Sequence, residues 1–267
     1  MKKEPLKISF SSQKGGVGKS AITILTASIL HYKMGYQVVL FDCDYPQLSI
    51  VKQRERELKV VMEHDHYKRM AHTQFSHLNK KAYPVIPCHA DTALQEAERF
   101  LKESPISYDI AFFDLPGTVN SSGILQTLMG MDVIFSPMTA DRLVMESTLS
   151  FYQVISELFK KQPNNKGLYL FWNMVDGREK SPLYKMYEKV ISQLDLHLMQ
   201  HYFSDSKRFR KELLEIGNGL VFRATLFPPH HRLIKHARLD IFIDEFLHLL
   251  HHSNEKDKRL EKGKIDV

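Results

Sequence analysis

The stretch Gln13-Lys14-Gly15-Gly16-Val17-Gly18-Lys19-Ser20 decides how this chain folds. It matches the phosphate-loop pattern G-x-x-x-x-G-K-[ST] except at the first position, where Gln13 stands in place of glycine. Gly15, Gly16 and Gly18 let the backbone take positive φ and bring N–H groups within reach of phosphate oxygens. A helix beginning near Lys19 turns its positive end toward the same anion, and Val17 and Ala21 complete the cradle. In such a loop Lys19 neutralises β- and γ-phosphate charge, and the Ser20 hydroxyl ligates Mg²⁺. The plainer reading is a glycine-rich turn joining a strand to a helix. Lys-Ser at this spacing between those two elements argues against it.

Working outward, Lys7–Ser11 reads as a strand feeding the loop, and Ser20–Met34 reads as a helix with Ile22, Leu25, Ile29 and Leu30 on one side, closed by Gly35. Val38–Phe41 is a continuous apolar run ending in Asp42, the pattern of a strand buried on both faces. One long charged helix with a solvated face is expected from Ile50 to about Met70, then a strand over Ala82–Pro87 and a helix over Asp91–Glu103. Tyr108–Phe113 ends in Asp114, and Val133–Phe135 and Leu168–Trp172 repeat the apolar pattern. Strands alternating with helices predict an α/β fold, a single domain with a mainly parallel sheet flanked by helices on both faces. Ligands then bind at the carboxyl ends of the strands. The division expected is a domain over residues 1–252 and a charged, disordered tail over 253–267.

With 267 residues, 43% of them hydrophobic and no Pro/Gly/Ser-rich linker or repeat, one core is expected. Cys43 and Cys88 form no disulfide framework and no Cys-x-x-Cys pair, so neither a bridge nor a metal site is expected of them. Neither a leader nor an apolar run near the roughly 20 residues of a membrane span is seen, which predicts a cytoplasmic protein without a membrane anchor. The formal net charge of +6 favours an anionic partner, whether nucleic acid, nucleotide or membrane surface; a merely basic soluble protein fits as well. The histidine pairs 64/66, 230/231 and 251/252 lack carboxylate or cysteine support and read as surface or loop residues.

The second lysine, Lys14, makes the loop the deviant form K-G-G-x-G-K-[ST], and here the chain resembles the ParA/MinD family of ATPases. Asp42-Cys43-Asp44-Tyr45-Pro46-Gln47 is similar to that family's D-x-D-P-Q motif with Tyr45 inserted before the proline. Asp114-Leu115-Pro116-Gly117 is similar to its Walker B and switch segment. The resemblance implies ATP and Mg²⁺ as cofactors and a P-loop ATPase whose hydrolysis is slow and partner-stimulated. It implies that Lys14 reaches across a homodimer to the partner's nucleotide, and that Asp44 orients or deprotonates the attacking water. It also implies that Ser20, Asp114 and Asp42 hold the metal. Asn173 stands where the family places its base-recognising asparagine, and Pro228 where a second loop covers the base. The resemblance runs over about residues 6–250 and is tightest in the first 120.

Of the functions this implies, a dimerising switch for partition or maintenance of a plasmid, chromosome or conjugative element leads. It needs a basic surface for non-specific DNA in the ATP state. Between Ser204 and Arg238 eight Lys/Arg face three acids, and Lys207-Arg208-Phe209-Arg210-Lys211 interleaves an aromatic with cations. A solvated helical face is the competing reading of Lys207, Arg208, Arg210 and Lys211. A MinD-like switch acting on membrane or protein cargo would want a basic amphipathic C-terminal helix, yet Leu239–Leu247 carries acids and reads as a last core helix. A small-molecule-dependent P-loop enzyme would use the same loop. A protein activator of hydrolysis is expected in the first two cases. With the loop near the start of the sequence, no helix-turn-helix domain is expected before it, and sequence-specific operator binding is not expected.

Overall fold

Residues 3–117, 122–176, 182–216 and 219–262 are described by the computed structural model of the chain. The strands are β1 (Leu6–Phe10), β2 (Val38–Asp42), β3 (Val85–Pro87), β4 (Ile110–Asp114), β5 (Val133–Met138), β6 (Gly167–Trp172) and β7 (His197–Leu198). The helices are α1 (Lys19–Tyr32), α2 (Ser49–Glu63), α3 (Asp65–Leu78), α4 (Ala93–Glu103), α5 (Ser122–Met129), α6 (Arg142–Phe159), α7 (Leu183–Gln193), α8 (Leu213–Ile216), α9 (His231–His236) and α10 (Leu239–Lys262). All the strand pairings are parallel, in one 7-stranded sheet of order β3-β2-β4-β1-β5-β6-β7. The α/β, parallel-sheet reading of the sequence is what the chain adopts.

The apolar runs explain why. In β2, Val38 and Leu40 enter one core with α1 and α10, while Val39 and Phe41 enter a second core with α4, α6 and α7. A strand with both faces covered alternates between two cores rather than between core and water, so every residue of β2 and β4 is buried. On the α10 face Phe10, Phe112, Phe135 and Phe246 form an aromatic slab, with the Phe135 and Phe246 rings 4.6 Å apart. That contact makes the Leu239–Leu247 segment a core helix, as its composition implies. α10 continues to Lys262, through the junction at which the sequence divides domain from tail; residues 263–267 lie outside the described residues. Among the described residues no helix is long and apolar enough to cross a membrane.

The charged segment after Ile50 departs from expectation. It is two helices, broken at His64, whose backbone is extended with φ −117° and ψ 114°. The break lets Tyr67 of α3 join Val60, Val61, Leu213 and Phe227 in a small third cluster. Nor is α2 simply a solvated face. Glu57 is 1% exposed, and its Oε2 accepts hydrogen bonds from Thr225 N at 2.8 Å and Thr225 Oγ1 at 2.6 Å. Gln53 donates to its other oxygen at 2.7 Å. This carboxylate pins the 224–227 turn against α2, because a buried carboxylate left without donors would be costly.

The register sets the site. β1 sits between β4 and β5, so the loop leaving Phe10 rises at the point where the chain order reverses across the sheet. Asp42 and Asp114 are register partners at the carboxyl ends of β2 and β4, beside that loop. Cys43 and Cys88 follow neighbouring strands, and their buried free thiols lie 3.2 Å apart. The pair that looks unconnected along the chain is thus brought into contact by β2–β3 pairing.

Candidate phosphate site

The loop is anchored below before it can bind anything above. Tyr152 of α6 donates to Ser11 O at 3.0 Å and accepts from Ser136 of β5. The Ser12 hydroxyl donates to Lys14 O at 3.0 Å, closing the first turn. Gly16 and Gly18 have φ of +77° and +87°, and Gly18 opens α1. A side chain at Gly18 would be strained twice over, since its Cβ would lie 2.7 Å from Asn173 Nδ2.

Lys19 is 8% exposed, and its Nζ lies 3.5 Å from Lys14 O. Burial lowers its pKa, while Asp114 and Asp44 oppose that shift. The Ser20 hydroxyl donates to Asp114 Oδ2 at 2.6 Å. Asp114 Oδ1 is buried without a hydrogen-bond partner among the described residues. Burial pushes the Asp114 carboxyl up to about 7, helped by Asp42 and Asp44 and opposed by Ser20 and Lys19. A serine hydroxyl tied to a carboxylate with one orphaned oxygen is a donor set that suits Mg²⁺. A cation there would relieve the desolvated charge. Gly117 closes the far wall: a Cβ on it would fall 2.9 Å from Gly15 Cα and N and 3.1 Å from Lys19 Nζ.

These groups open into a cleft of about 670 Å³ lined by Gly15, Gly16, Gly18, Lys19, Ser20 and Ala21, with Asp44, Gln47, Ser49, Pro116 and Gly117 opposite. Val17 is buried behind the loop. Asp44 is half-buried in the cleft, and the Tyr45 insertion turns its own ring outward onto His89 while Gln47 still reaches the wall. Lys14 is exposed and does not line its own chain's cleft.

Other expected positions separate. Asp42 is fully buried and absent from the cleft wall; its Oδ2 accepts Ile50 N and Val51 N, both at 2.9 Å. Its carboxylate is engaged by the first turn of α2, whereas that of Asp114 takes the Ser20 hydroxyl. Pro228 does not line the cleft, because Phe227 is drawn into the cluster beneath α2 and α3. Asn173 reaches the cleft, but its Nδ2 donates to Val17 O at 2.8 Å, so it braces the loop.

The segment after β7 supplies the remaining wall: Ser204, Asp205, Ser206, Phe209 and Arg210, together with Arg223. Lys207–Arg210 is a short 3-10 turn whose basic side chains, like Lys211, are exposed. The half-buried Phe209 ring packs on Phe203 and Phe222 at 5.7 and 5.1 Å. Arg210 turns to the cleft, leaving Lys207, Arg208 and Lys211 as the outward cations.

The Asp114 geometry makes a stability prediction. Its folded-state pKa lies above the unfolded value near 3.9, so the folded chain binds the extra proton. Stability from that proton is present below about pH 4 and is lost as pH rises to about 7. In metal-free buffer Asp114→Asn is expected to match the native chain near pH 4 and to exceed it by roughly 2–4 kcal/mol at pH 8. Urea melts at the two pH values check this; a gain independent of pH would contradict it. Added Mg²⁺ with nucleotide should stabilise the native chain and not the variant.

With the geometry in place, comparison with known proteins is informative. Residues 8–214 match the family described as the CobQ/CobB/MinD/ParA nucleotide binding domain. An uncharacterized protein of Borreliella burgdorferi is 24% identical over 226 residues, covering 79% of this chain and 84% of its own. A plasmid partition protein from Borrelia burgdorferi shares the fold with a TM-score of 0.53 at 20% identity, over 77% of this chain and 92% of its own. A Borrelia burgdorferi B31 protein solved with AMPPNP bound gives a TM-score of 0.53 at 19% identity, over 77% and 89%. At these identities the structural likeness is one of fold. The family match spans most of the chain and takes in the glycine loop, the paired strand-end carboxylates and the cleft between them: this chain belongs to the CobQ/CobB/MinD/ParA nucleotide-binding family.

Proposed function

We propose that this protein is an ATP-driven switch ATPase, dimerising with ATP and serving DNA partition or maintenance. The observation that carries the reading is the convergence of Lys19, Ser20 and Asp44 on one cleft above a braced phosphate loop, with Asp114 buried behind Ser20 and tied to its hydroxyl. In this reading ATP lies with its phosphates on Gly15–Ala21, and Lys19 neutralises the β/γ charge. Ser20 and Asp114 would hold Mg²⁺, which when bound would supply charge neutralisation at the phosphates. Asp44 positions the attacking water, and exposed Lys14 serves the nucleotide of a second copy. Asn173 holds the loop in shape and borders the base. Lys207, Arg208 and Lys211 present an exposed basic turn beside the nucleotide rim, suited to phosphate backbone. The partition role is supported by the similar Borrelia protein named for it.

The experiment is binding of a random-sequence DNA duplex with ATP, ADP or no nucleotide, at several salt concentrations, with Lys19→Ala alongside. ATP-dependent binding that weakens steeply with salt is the expected result. Absence of binding in every nucleotide state would remove the DNA role and direct the search to membrane or protein cargo.

A further inference from the structure

Arg223 is a cation of the cleft that lies outside the phosphate-loop motif. It comes far along the chain from the phosphate loop, yet it lines both the main cleft and an adjoining cavity of about 390 Å³. Ser20, Gln47 and Ser49 line both as well, so Arg223 stands on the wall nearest the start of α1. Its side chain is 14% exposed.

A guanidinium this buried ordinarily has its donors filled. Here Nη2 donates to Arg210 O at 3.3 Å and lies 3.6 Å from Glu212 Oε1. Nε is buried with no partner among the described residues. Glu212 is committed elsewhere: both of its oxygens take Arg56, at 2.8 and 3.0 Å. Burial pulls the Arg223 pKa down, with Glu212 opposing it. The cation is therefore largely desolvated, with the carboxylates of Glu212, Glu57 and Glu215 around it, and it stands on the wall of the phosphate-loop cleft. Arg210, by contrast, is 68% exposed and sits 3.5 Å from Asp205.

We propose that Arg223 is an in-chain contact for the phosphates of the bound nucleotide, a second cation in cis beyond the loop lysine. A planar guanidinium on the cleft wall suits a phosphate oxygen pair better than a lysine does. The inference rests on the nucleotide reading of the cleft. It adds a nucleotide-dependent tie to α2: a phosphate that takes Arg223 leaves Glu212 to Arg56 alone.

The test is titration of a fluorescent ATP analogue, with Mg²⁺, into the full chain and four variants, each checked for folding by its thermal melt. Arg223→Ala is expected to bind about 10- to 30-fold more weakly, and Arg223→Lys to recover part of that loss. Glu212→Gln, which removes the ion pair but leaves the guanidinium, is expected to bind within about twofold of the native chain. A purely structural role predicts something else, namely that Arg223→Ala and Glu212→Gln weaken binding alike; that result, or native-like binding by Arg223→Ala, overturns the proposal. Should Arg223→Ala fail to fold, Arg223→Gln takes its place with the same expectation. Lys19→Ala separates the two claims: if it binds as the native chain does, the nucleotide reading itself fails. If Lys19→Ala loses binding while Arg223→Ala keeps it, only the role of Arg223 falls.

Discussion

Replacing Lys19 with alanine is expected to weaken ATP binding at least a hundredfold, a loss of about 2.7 kcal/mol or more. The size of the effect follows from where the ammonium sits. It is nearly buried, its nearest hydrogen-bond acceptor is a backbone carbonyl at 3.5 Å, and Gly117 closes over it. A charge held in so dry a place is attracted to phosphate far more strongly than a solvated lysine would be. Removing it also leaves Asp114, with its orphaned oxygen, facing the incoming polyphosphate uncompensated. Calorimetric titration with ATP·Mg²⁺ measures the loss directly, and binding within tenfold of the native chain would contradict it.

The second large effect is on turnover. Asp44→Ala is expected to lower ATP hydrolysis by about 10²–10⁴-fold, the range typical for loss of a positioned general base. ATP affinity should change only a fewfold, because Asp44 lines the cleft opposite the loop without a hydrogen bond to it. Single-turnover phosphate release, paired with a binding titration, separates the two. Hydrolysis at the native rate would move the water-positioning role to another wall residue, with Gln47 the first to try.

Which parts of this arrangement were legible from the residues follows from how local each one is. Gly16, Gly18, Lys19 and Ser20 are neighbours whose backbone angles and spacing are themselves the message. Val38–Phe41 and Ile110–Phe113 declare strands buried on both faces because no polar residue interrupts them. Asp114 was legible because a carboxylate ending such a strand, after a phosphate loop, has few other uses. Asp42 looks the same in sequence and takes backbone N–H groups of α2 where Asp114 takes a serine hydroxyl: its surroundings are set by where α2 begins, seven residues on, which no motif states. The helix break at His64 and the burial of Glu57 depend on a turn near Thr225 that arrives from far along the chain. Phe209 and Pro228 owe their settings to one cause. Aromatic and proline residues in basic loops look available until tertiary packing claims them, as Phe203 and Phe222 claim Phe209, and the cluster around Tyr67 claims the segment at Phe227. Arg223 carries no local mark at all, and only the cleft wall reveals it.

The measurement that bears most directly on the switch is the solution mass of Asp44→Ala by light scattering, with saturating ATP and Mg²⁺, with ADP, and without nucleotide. Slowed hydrolysis should hold the ATP state, giving twice the monomer mass with ATP and a monomer with ADP or no nucleotide. Adding Lys14→Ala, which would remove the proposed cross-subunit contact, should return it to a monomer. A chain that binds ATP and stays monomeric would contradict the account.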